Sequence, residues 1–267
     1  CTMPTINQGE QMKKYLLVIT LLFTFLQANT IGINEKLGTM IPMDLKFIDS
    51  DGTEKTLKQL TQGKPTLLTL NYFRCSGLCS PQLNKLADML GRLQLAENTD
   101  YKVLTVGFNE EETPALAAAK HENQLNSIHR SYVHDAWHFV IGENNSSGVL
   151  ADLVGFSFKK VVSKEGKVDF MHAAALIVLS PTGKVIRYLN GIDLLTADVT
   201  MAIQEANSET VEPTRTKKVP YCFSQQQKIE EQFYLGEKIL GVIMLMSMLG
   251  LFLYLRKIGR KNKTPLD

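Results

Sequence analysis

The sequence predicts an α/β protein in which helices flank a central sheet. Between its two apolar ends, the chain alternates strand-like and helix-like runs, the pattern of a mainly parallel sheet covered by helices. With 267 residues, 44% of them apolar, it is long enough for one sizeable core plus targeting segments. Its formal net charge is only +2, and its basic residues are dispersed outside the last dozen positions. We therefore expect no nucleic-acid partner.

The first clear strand and the helix after it flank a pair of cysteines. An apolar run predicts a strand over residues 66–73. Leucines recur at helical spacing over residues 81–95, and Pro81 suits a first helical turn. Cys75 and Cys79 therefore stand where a strand is followed by a helix.

The remaining elements continue the alternation. We predict strands at residues 102–108, 137–142, 173–179 and 184–189, and helices at about residues 113–125 and 146–154. The turn residues 180–183 (SPTG) join the last two strands as a hairpin. The order strand, helix, strand, helix, hairpin and helix is that of a thioredoxin-like fold, with a central mixed sheet and flanking helices.

The N-terminal region has the features of a secretory signal. Residues 1–11 are polar, and we interpret them as an upstream segment before a start at Met12, with Met3 as the alternative start. A basic start, a short apolar run and a small-residue end predict a signal peptide over residues 12–28. The apolar run is only about half as long as a membrane-spanning helix requires, although a short retained anchor is an alternative. We therefore expect export.

The C-terminal region predicts a membrane anchor. Residues 239–255 are 17 consecutive apolar or small residues, within a predicted transmembrane helix at residues 235–255. The basic tail at residues 256–267 then lies in the cytoplasm by the positive-inside rule. Residues 29–206 form the domain on the outer, periplasmic side of the cell membrane, and the stretch at 207–234 is the linker between domain and helix.

The spacing of Cys75 and Cys79 suits more than one kind of chemistry. Residues four apart at a helix start lie on one face, with Cα atoms about 6 Å apart, a separation that a disulfide accepts. The helix start also lowers the pKa of a thiol, because its N–H groups and dipole stabilise a thiolate. Two thiolates suit a soft ion such as Cu(I), and an added imidazole suits Cu(II). The pair alone also fits a structural disulfide.

A third metal ligand would be a histidine that reaches the same edge of the sheet. His172 directly precedes a strand that we expect beside the cysteine-bearing strand, so it is the candidate third ligand. His121 and His129 fall on a charged helical stretch and are expected to be solvated. We expect a structural role for His134 and His138.

Several separated motifs then resemble one family. In chain order they are residues 71–79 (NYFRCSGLC), 137–142 (WHFVIG), 151–156 (ADLVGF), 171–172 (MH) and 180–184 (SPTGK). With the element order, they resemble the Sco/SenC family of thioredoxin-fold copper chaperones for the CuA centre of cytochrome c oxidase. The resemblance covers about residues 37–206, and chance is a poor explanation for several motifs that agree in order and spacing.

This resemblance implies a ligand, a site and partners. It implies copper as the ligand, bound by Cys75, Cys79 and His172, and it implies that the two cysteines cycle between dithiol and disulfide. The implied partners are the CuA-bearing subunit of cytochrome c oxidase and, in addition, other copper chaperones or thioredoxin-like reductants.

Departures from the family pattern leave alternatives open. Ser76 and Ser80 stand where many members have proline, and Asn109 stands where aspartate is frequent. These departures resemble a subgroup with a C-terminal membrane anchor. One alternative function is a membrane-anchored thiol–disulfide oxidoreductase that reduces cysteines of an oxidase subunit or another exported client, and another is a domain with an inert disulfide. Cys222 is either a buried or interfacial thiol without a special role or a transient copper or redox partner.

Overall fold

Eleven strands and five α-helices form between residues 32 and 222, in the part of the chain that the structure describes. The structure is a computed structural model that describes residues 32–74, 79–109, 111–162, 168–214, 221–222, 241, 244, 246–248 and 250, with the backbone alone for residues 79, 221 and 222. The strands are β1 (Gly32–Ile33), β2 (Lys46–Asp49), β3 (Glu54–Thr56), β4 (Thr66–Asn71), β5 (Lys102–Gly107), β6 (Trp137–Gly142), β7 (Phe156–Val162), β8 (Val168–Ala173), β9 (Ala175–Leu179), β10 (Val185–Asn190) and β11 (Tyr221–Cys222). The helices are α1 (Leu57–Thr61), α2 (Cys79–Arg92), α3 (Pro114–Asn126), α4 (Ser146–Leu153) and α5 (Thr196–Asn207).

Seven of these strands form one mixed sheet in the order β10-β9-β4-β5-β6-β2-β3. Strands β4, β5 and β6 run parallel in the centre, and β9 and β2 pair antiparallel on either side of them. Helix α2 connects β4 to β5, and α3 connects β5 to β6, because parallel neighbours need a crossover. The predicted α/β class and the thioredoxin-like fold with a central mixed sheet are therefore confirmed.

The central strands carry side chains into two cores, one on each face of the sheet. Every residue of β4 and β5 is buried. Leu68 packs in a core with α1, α4 and part of the second sheet, whereas its neighbour Leu67 packs in a core with α2, α3 and α5. Nearly continuous apolar strands are what a parallel sheet covered on both faces requires.

A second, antiparallel sheet has the order β1-β7-β8-β11, which the sequence patterns did not predict. Strand β7 is only partly buried and includes two exposed lysines, so it lacks the apolar run that predicted the other strands. The predicted strand at residues 173–179 is interrupted at Ala174, where the chain passes from the second sheet to the main sheet. His172 therefore lies within β8 rather than before a strand.

The predicted membrane helix at residues 235–255 lies mostly outside the described residues. Those that are described within it, at positions 241, 244, 246–248 and 250, are helical. Among all the described residues, no helix has the length and apolar character needed to cross a membrane. The predicted signal peptide and basic tail also lie outside the described residues, and both stay predictions.

Candidate metal and thiol site

The segment that carries the predicted cysteine pair joins β4 to α2. Cys75 lies outside the described residues, and the backbone of Cys79 is the first residue of α2. Before the pair, Phe73 is buried, with its ring centroid 5.9 Å from that of Phe139, and Arg74 is exposed. The strand end is thus anchored in the core, and the chain reaches the surface directly before Cys75.

Polar contacts fix the start of α2 against its neighbours. Asn71 Nδ2 donates to Gln82 Oε1 at 3.2 Å, and Gln82 Nε2 donates to the carbonyl oxygen of Ala175 at 3.3 Å. Lys120 Nζ of α3 donates to Ser80 Oγ at 3.2 Å. Both amide side chains are buried, where polar groups need partners. These bonds tie the first turns of α2 to β4, β9 and α3, and so hold the helix N-terminus in place.

His172 lies on β8 among aromatic rings. Its side chain is 0% exposed, and its ring centroid lies 5.1 Å from that of Phe108 and 5.7 Å from that of Phe156. Its Nδ1 lies 2.9 Å from the carbonyl oxygen of Ala173. Because a carbonyl oxygen only accepts, Nδ1 of the neutral ring carries the proton. The lone pair is then on Nε2, the atom that would bind a metal ion.

The fold brings His172 to the edge of the main sheet where β4 ends. Tyr72, directly after β4, packs edge-on against Phe170 of β8, with ring centroids 5.0 Å apart. Phe108, directly after β5, has its ring centroid 5.1 Å from that of His172, and its N–H donates to the carbonyl oxygen of Asn71 at 3.1 Å. His172 and the two ends of the cysteine segment therefore lie at one edge of the sheet.

The described residues contain one member of the predicted ligand set with its side chain, His172. In that part of the chain, no three His, Cys, Asp or Glu side chains are placed to hold a metal ion. The predicted set includes Cys75 and the side chain of Cys79, which both lie outside it. The assignment of copper to these two cysteines and His172 stays a prediction, and the described residues contribute the position and tautomer of His172.

The backbone of Cys222 also lies beside this edge. Strand β11 pairs antiparallel with β8, with Cys222 opposite His172 and Tyr221 opposite Ala173. The sequence left the role of Cys222 open. Strand pairing places its backbone opposite His172, although the two residues are far apart in the sequence.

A second group of histidines gathers around β2, α3 and β6, and it corrects one expectation. His121 was expected in solvent, but its side chain is only 4% exposed. Its Nδ1 lies 3.1 Å from Ser50 Oγ, and its ring stacks on Phe139 with centroids 5.3 Å apart. The expectation was wrong because this position of α3 faces β6, although the residues around it in sequence are charged. His129 is exposed, as expected.

Burial sets the protonation of His121, and a carboxylate pairs with His138. Burial, together with the nearby His134, lowers the pKa of His121 to about 4. His138 is buried, and its Nδ1 lies 2.9 Å from Asp49 Oδ2. The structural role predicted for His138 fits this contact, because the pair joins β6 to β2.

One buried carboxyl group near the candidate site was missed. Glu112 lies between β5 and α3, its side chain is 6% exposed, and it accepts a hydrogen bond from the backbone N–H of Phe73. The sequence offered no signal for it, because an acidic run before a helix predicts exposure to solvent.

The fold and the site define the class of protein: a thioredoxin-like domain with a cysteine pair at a strand-to-helix junction and a buried histidine at the same edge. The family model of SCO1/SenC matches residues 35–207. The chain belongs to the SCO1/SenC family, which confirms the resemblance seen in its motifs.

The chain is also similar to individual proteins. The chain is 26% identical over 150 residues to the SCO1 protein homolog of Bacillus subtilis (strain 168), covering 55% of this chain and 72% of that protein. A candidate electron transfer protein of Aquifex aeolicus VF5 is 25% identical with a TM-score of 0.56, over 65% of this chain and 95% of that one. Arabidopsis thaliana ScoI, solved with copper bound, is 20% identical with a TM-score of 0.49, over 60% of this chain and 96% of that one.

Proposed function

We propose that this protein binds copper on the outer side of the cell membrane and delivers it during assembly of the CuA site of cytochrome c oxidase. The observation that carries the proposal is the position of His172, packed on Phe108 at the sheet edge where β4 leads into the cysteine segment. In a SCO1/SenC chain, this position supports the assignment of His172 as the third ligand beside Cys75 and Cys79.

The donor atoms suit copper as a cargo. Two thiolates select Cu(I), and an imidazole nitrogen lets the same site hold Cu(II). The hydrogen bond from Nδ1 of His172 to a carbonyl fixes the ring in the tautomer whose Nε2 would bind the metal. Three protein ligands leave a coordination position for a donor from the recipient, and that donor gives the copper a route to leave.

The proposed setting is a single-pass anchor with the domain outside the cytoplasm. The apolar run before the basic tail supports the anchor, and the signal-like N-terminal region supports export. The recipient on that side is the CuA-bearing subunit of the oxidase. Other copper chaperones or thioredoxin-like reductants would supply the metal or keep the thiols reduced.

Metal analysis of the purified full chain in detergent tests the proposal. The reduced parent protein should bind about one copper, and Cys75→Ser should remove most of it. His172→Ala should weaken Cu(II) binding about 100-fold or more, since even the loss of a supporting contact costs about 10- to 100-fold. The matched control is His129→Ala, an exposed histidine on the same domain. If His172→Ala held Cu(II) as tightly as the parent, the three-ligand site would be wrong.

A second candidate function is thiol–disulfide exchange with an oxidase subunit or another exported client. It is favoured by the placement of Cys79 at the first position of a 14-residue helix, where a thiolate is stabilised. Thiol exchange does not need the histidine, so His172→Ala should keep this activity while it loses Cu(II). The measurements are the reduction potential of the cysteine pair and the rate at which the reduced protein reduces an oxidised dicysteine peptide. A copper-free parent that reduces this peptide rapidly would favour the second function.

A further inference from the structure

Two histidine rings lie against each other away from the edge of the main sheet that carries the cysteine segment. His121 of α3 and His134, the first residue of a 3₁₀ turn before β6, have ring centroids 4.4 Å apart. The cysteine segment follows β4, whereas His134 precedes β6, and both strands run parallel to β5. The ends of the six-residue β6 are about 17 Å apart at roughly 3.3 Å per residue, so the histidine pair and the cysteine segment are separate places.

The ring of His121 is oriented through its Nδ1 atom. Ser50 Oγ donates to Asp49 Oδ1 at 3.3 Å, and the same Oγ lies 3.1 Å from His121 Nδ1. A hydroxyl has one proton, and that of Ser50 goes to the carboxylate, so Oγ accepts from the Nδ1–H of the neutral ring. The lone pair of His121 is therefore on Nε2.

The Nε2 atom of His121 has the environment of a metal-binding nitrogen. It is buried and has no hydrogen-bond partner among the described residues, in a side chain that is 4% exposed. A buried acceptor without a donor costs free energy, which a bound cation would offset. Metal-binding histidines almost always donate their other ring N–H to an oxygen that fixes the ring. Here that oxygen is the Ser50 hydroxyl, which Asp49 holds in turn.

His134 supplies a second imidazole, and this one can turn. Its side chain is 65% exposed, and its Nδ1 lies 3.2 Å from Asp135 Oδ1. Donation from Nδ1–H to that carboxylate again leaves the lone pair on Nε2. A metal ion lies about 2 Å from an imidazole nitrogen, so one ion spans two nitrogens that are about 3 to 4 Å apart. Rings with centroids 4.4 Å apart reach that separation when the exposed ring turns about its side-chain bonds.

His138 lies nearby but is not a third ligand. His138 and Phe139 are successive residues of β6, so their side chains point to opposite faces of the sheet. His121 packs on the Phe139 ring, with centroids 5.3 Å apart, whereas His138 is held by Asp49. The site thus has two protein ligands, in agreement with the lack of any three-residue metal cluster in the described part of the chain.

We propose that His121 and His134 together bind a divalent first-row transition ion, with water in its remaining coordination positions. Imidazole suits zinc, nickel and copper, and the affinity of a given site for these divalent ions is greatest for Cu(II). Two protein ligands hold an ion more weakly than three, so Cu(II) should fill this site only after the cysteine site. The histidine pair uses no thiol, so it is independent of the proposed function.

The test measures Cu(II) binding to the full chain in detergent, in a Cys75→Ser background. The remaining thiols are alkylated, so that thiolates do not compete for the ion, and a competing chelator sets the free Cu(II) concentration. We expect His134→Ala to weaken Cu(II) binding at least about tenfold, since even the loss of a supporting contact costs about 10- to 100-fold. His129→Ala removes another exposed histidine and should match the background protein.

Electron paramagnetic resonance of the bound Cu(II) identifies the ligands. The background protein should show coupling to two imidazole nitrogens, whereas His134→Ala and His121→Gln should each show at most one. Cu(II) should also raise the urea midpoint of the background protein but not that of His134→Ala, because only the folded chain brings the two rings together.

Two results would overturn the proposal. One is a His134→Ala protein that binds Cu(II) as tightly as the background protein. The other is an equal weakening by His129→Ala, which would show binding spread over surface histidines. His134 is exposed, so its variant decides the question even if His121→Gln does not fold.

Discussion

Two regions of the molecule bury histidines, and their surroundings differ. At the cysteine edge, His172 lies among aromatic rings, and its Nδ1 lies 2.9 Å from a neutral carbonyl oxygen. Around β2, His138 lies 2.9 Å from the carboxylate of Asp49, which also binds Lys55 at 2.6 Å. A buried histidine held by a neutral acceptor, at the edge where β4 leads toward the cysteine segment, suits a metal ligand. A buried histidine held by a carboxylate that also binds a lysine suits a structural role.

A network around Asp49 holds the second region together. Oδ2 of Asp49 accepts from Lys55 and His138, and Oδ1 accepts from the N–H of Ser50 at 2.7 Å. Burial would raise the pKa of Asp49, but the hydrogen bonds from His138 and Lys55 outweigh it and hold the pKa well below its usual range. The carboxylate is therefore charged throughout the neutral range and joins β2, β3 and β6.

The largest effect that tests this contrast is expected from Asp49→Asn. The substitution removes the charge that the buried network is built around, and breaking such a pair costs about 3 to 5 kcal/mol. Lys55 is partly exposed, so we expect about 3 kcal/mol of lost unfolding free energy in urea denaturation. The control is Asp88→Asn, which breaks an exposed pair with Arg92 and should cost below about 1 kcal/mol. Equal losses in the two variants would show that the network does not stabilise β2.

A smaller effect is expected from pH, through His121. Its folded-state pKa of about 4 lies below the ordinary value of 6.5, so the unfolded chain binds the proton more tightly. The stability is fully present above about pH 6.5 and is lost as the pH falls toward about 4. At about 1.4 kcal/mol per pKa unit, His121 should contribute a fall of about 2 kcal/mol in unfolding free energy between pH 7 and pH 5. Buried Glu112 opposes this fall, because burial raises its pKa to about 8 and the folded chain binds that proton more tightly than the unfolded chain.

The source of this pH dependence can be isolated by substitution. His121→Gln keeps a polar side chain for Ser50 but does not titrate, so between pH 7 and pH 5 the parent should lose about 2 kcal/mol more unfolding free energy than the variant. His129→Ala removes an exposed histidine and should behave as the parent does. Denaturant unfolding at the two pH values measures both. A parent and a His121→Gln variant with the same pH dependence would contradict the burial of a neutral His121.

The same contrast explains what the sequence could and could not predict. β4, α2, β5, α3 and β6 were predicted because each has a continuous apolar run or a helical leucine or proline pattern. β7 and β8 were missed because their residues are only partly buried. The burial of His121 and Glu112 could not be predicted, since each depends on which face a neighbouring element covers. His172 was placed at the correct edge because β9 is apolar and starts close after it.

The smallest effect concerns helix α3, which contacts both regions. His121 of α3 packs in the histidine group, and the preceding Lys120 donates from Nζ to Ser80 Oγ at 3.2 Å, beside Cys79. Because Lys120 is partly exposed, a double-mutant cycle of Lys120→Ala and Ser80→Ala should give a coupling of only about 0.5 kcal/mol in urea denaturation.

A second cycle provides the reference for that small coupling. Gln124 Nε2 donates to Asn84 Oδ1 at 3.2 Å, also between α3 and α2 but farther from Cys79. If this contact gives a similar coupling, α3 binds α2 evenly along its length. Protonation of His121 at low pH should then loosen the whole helix pair. If Lys120 and Ser80 show no coupling while Gln124 and Asn84 do, the start of α2 is held by Asn71 and Gln82 alone. The two histidine regions would then respond to acid independently.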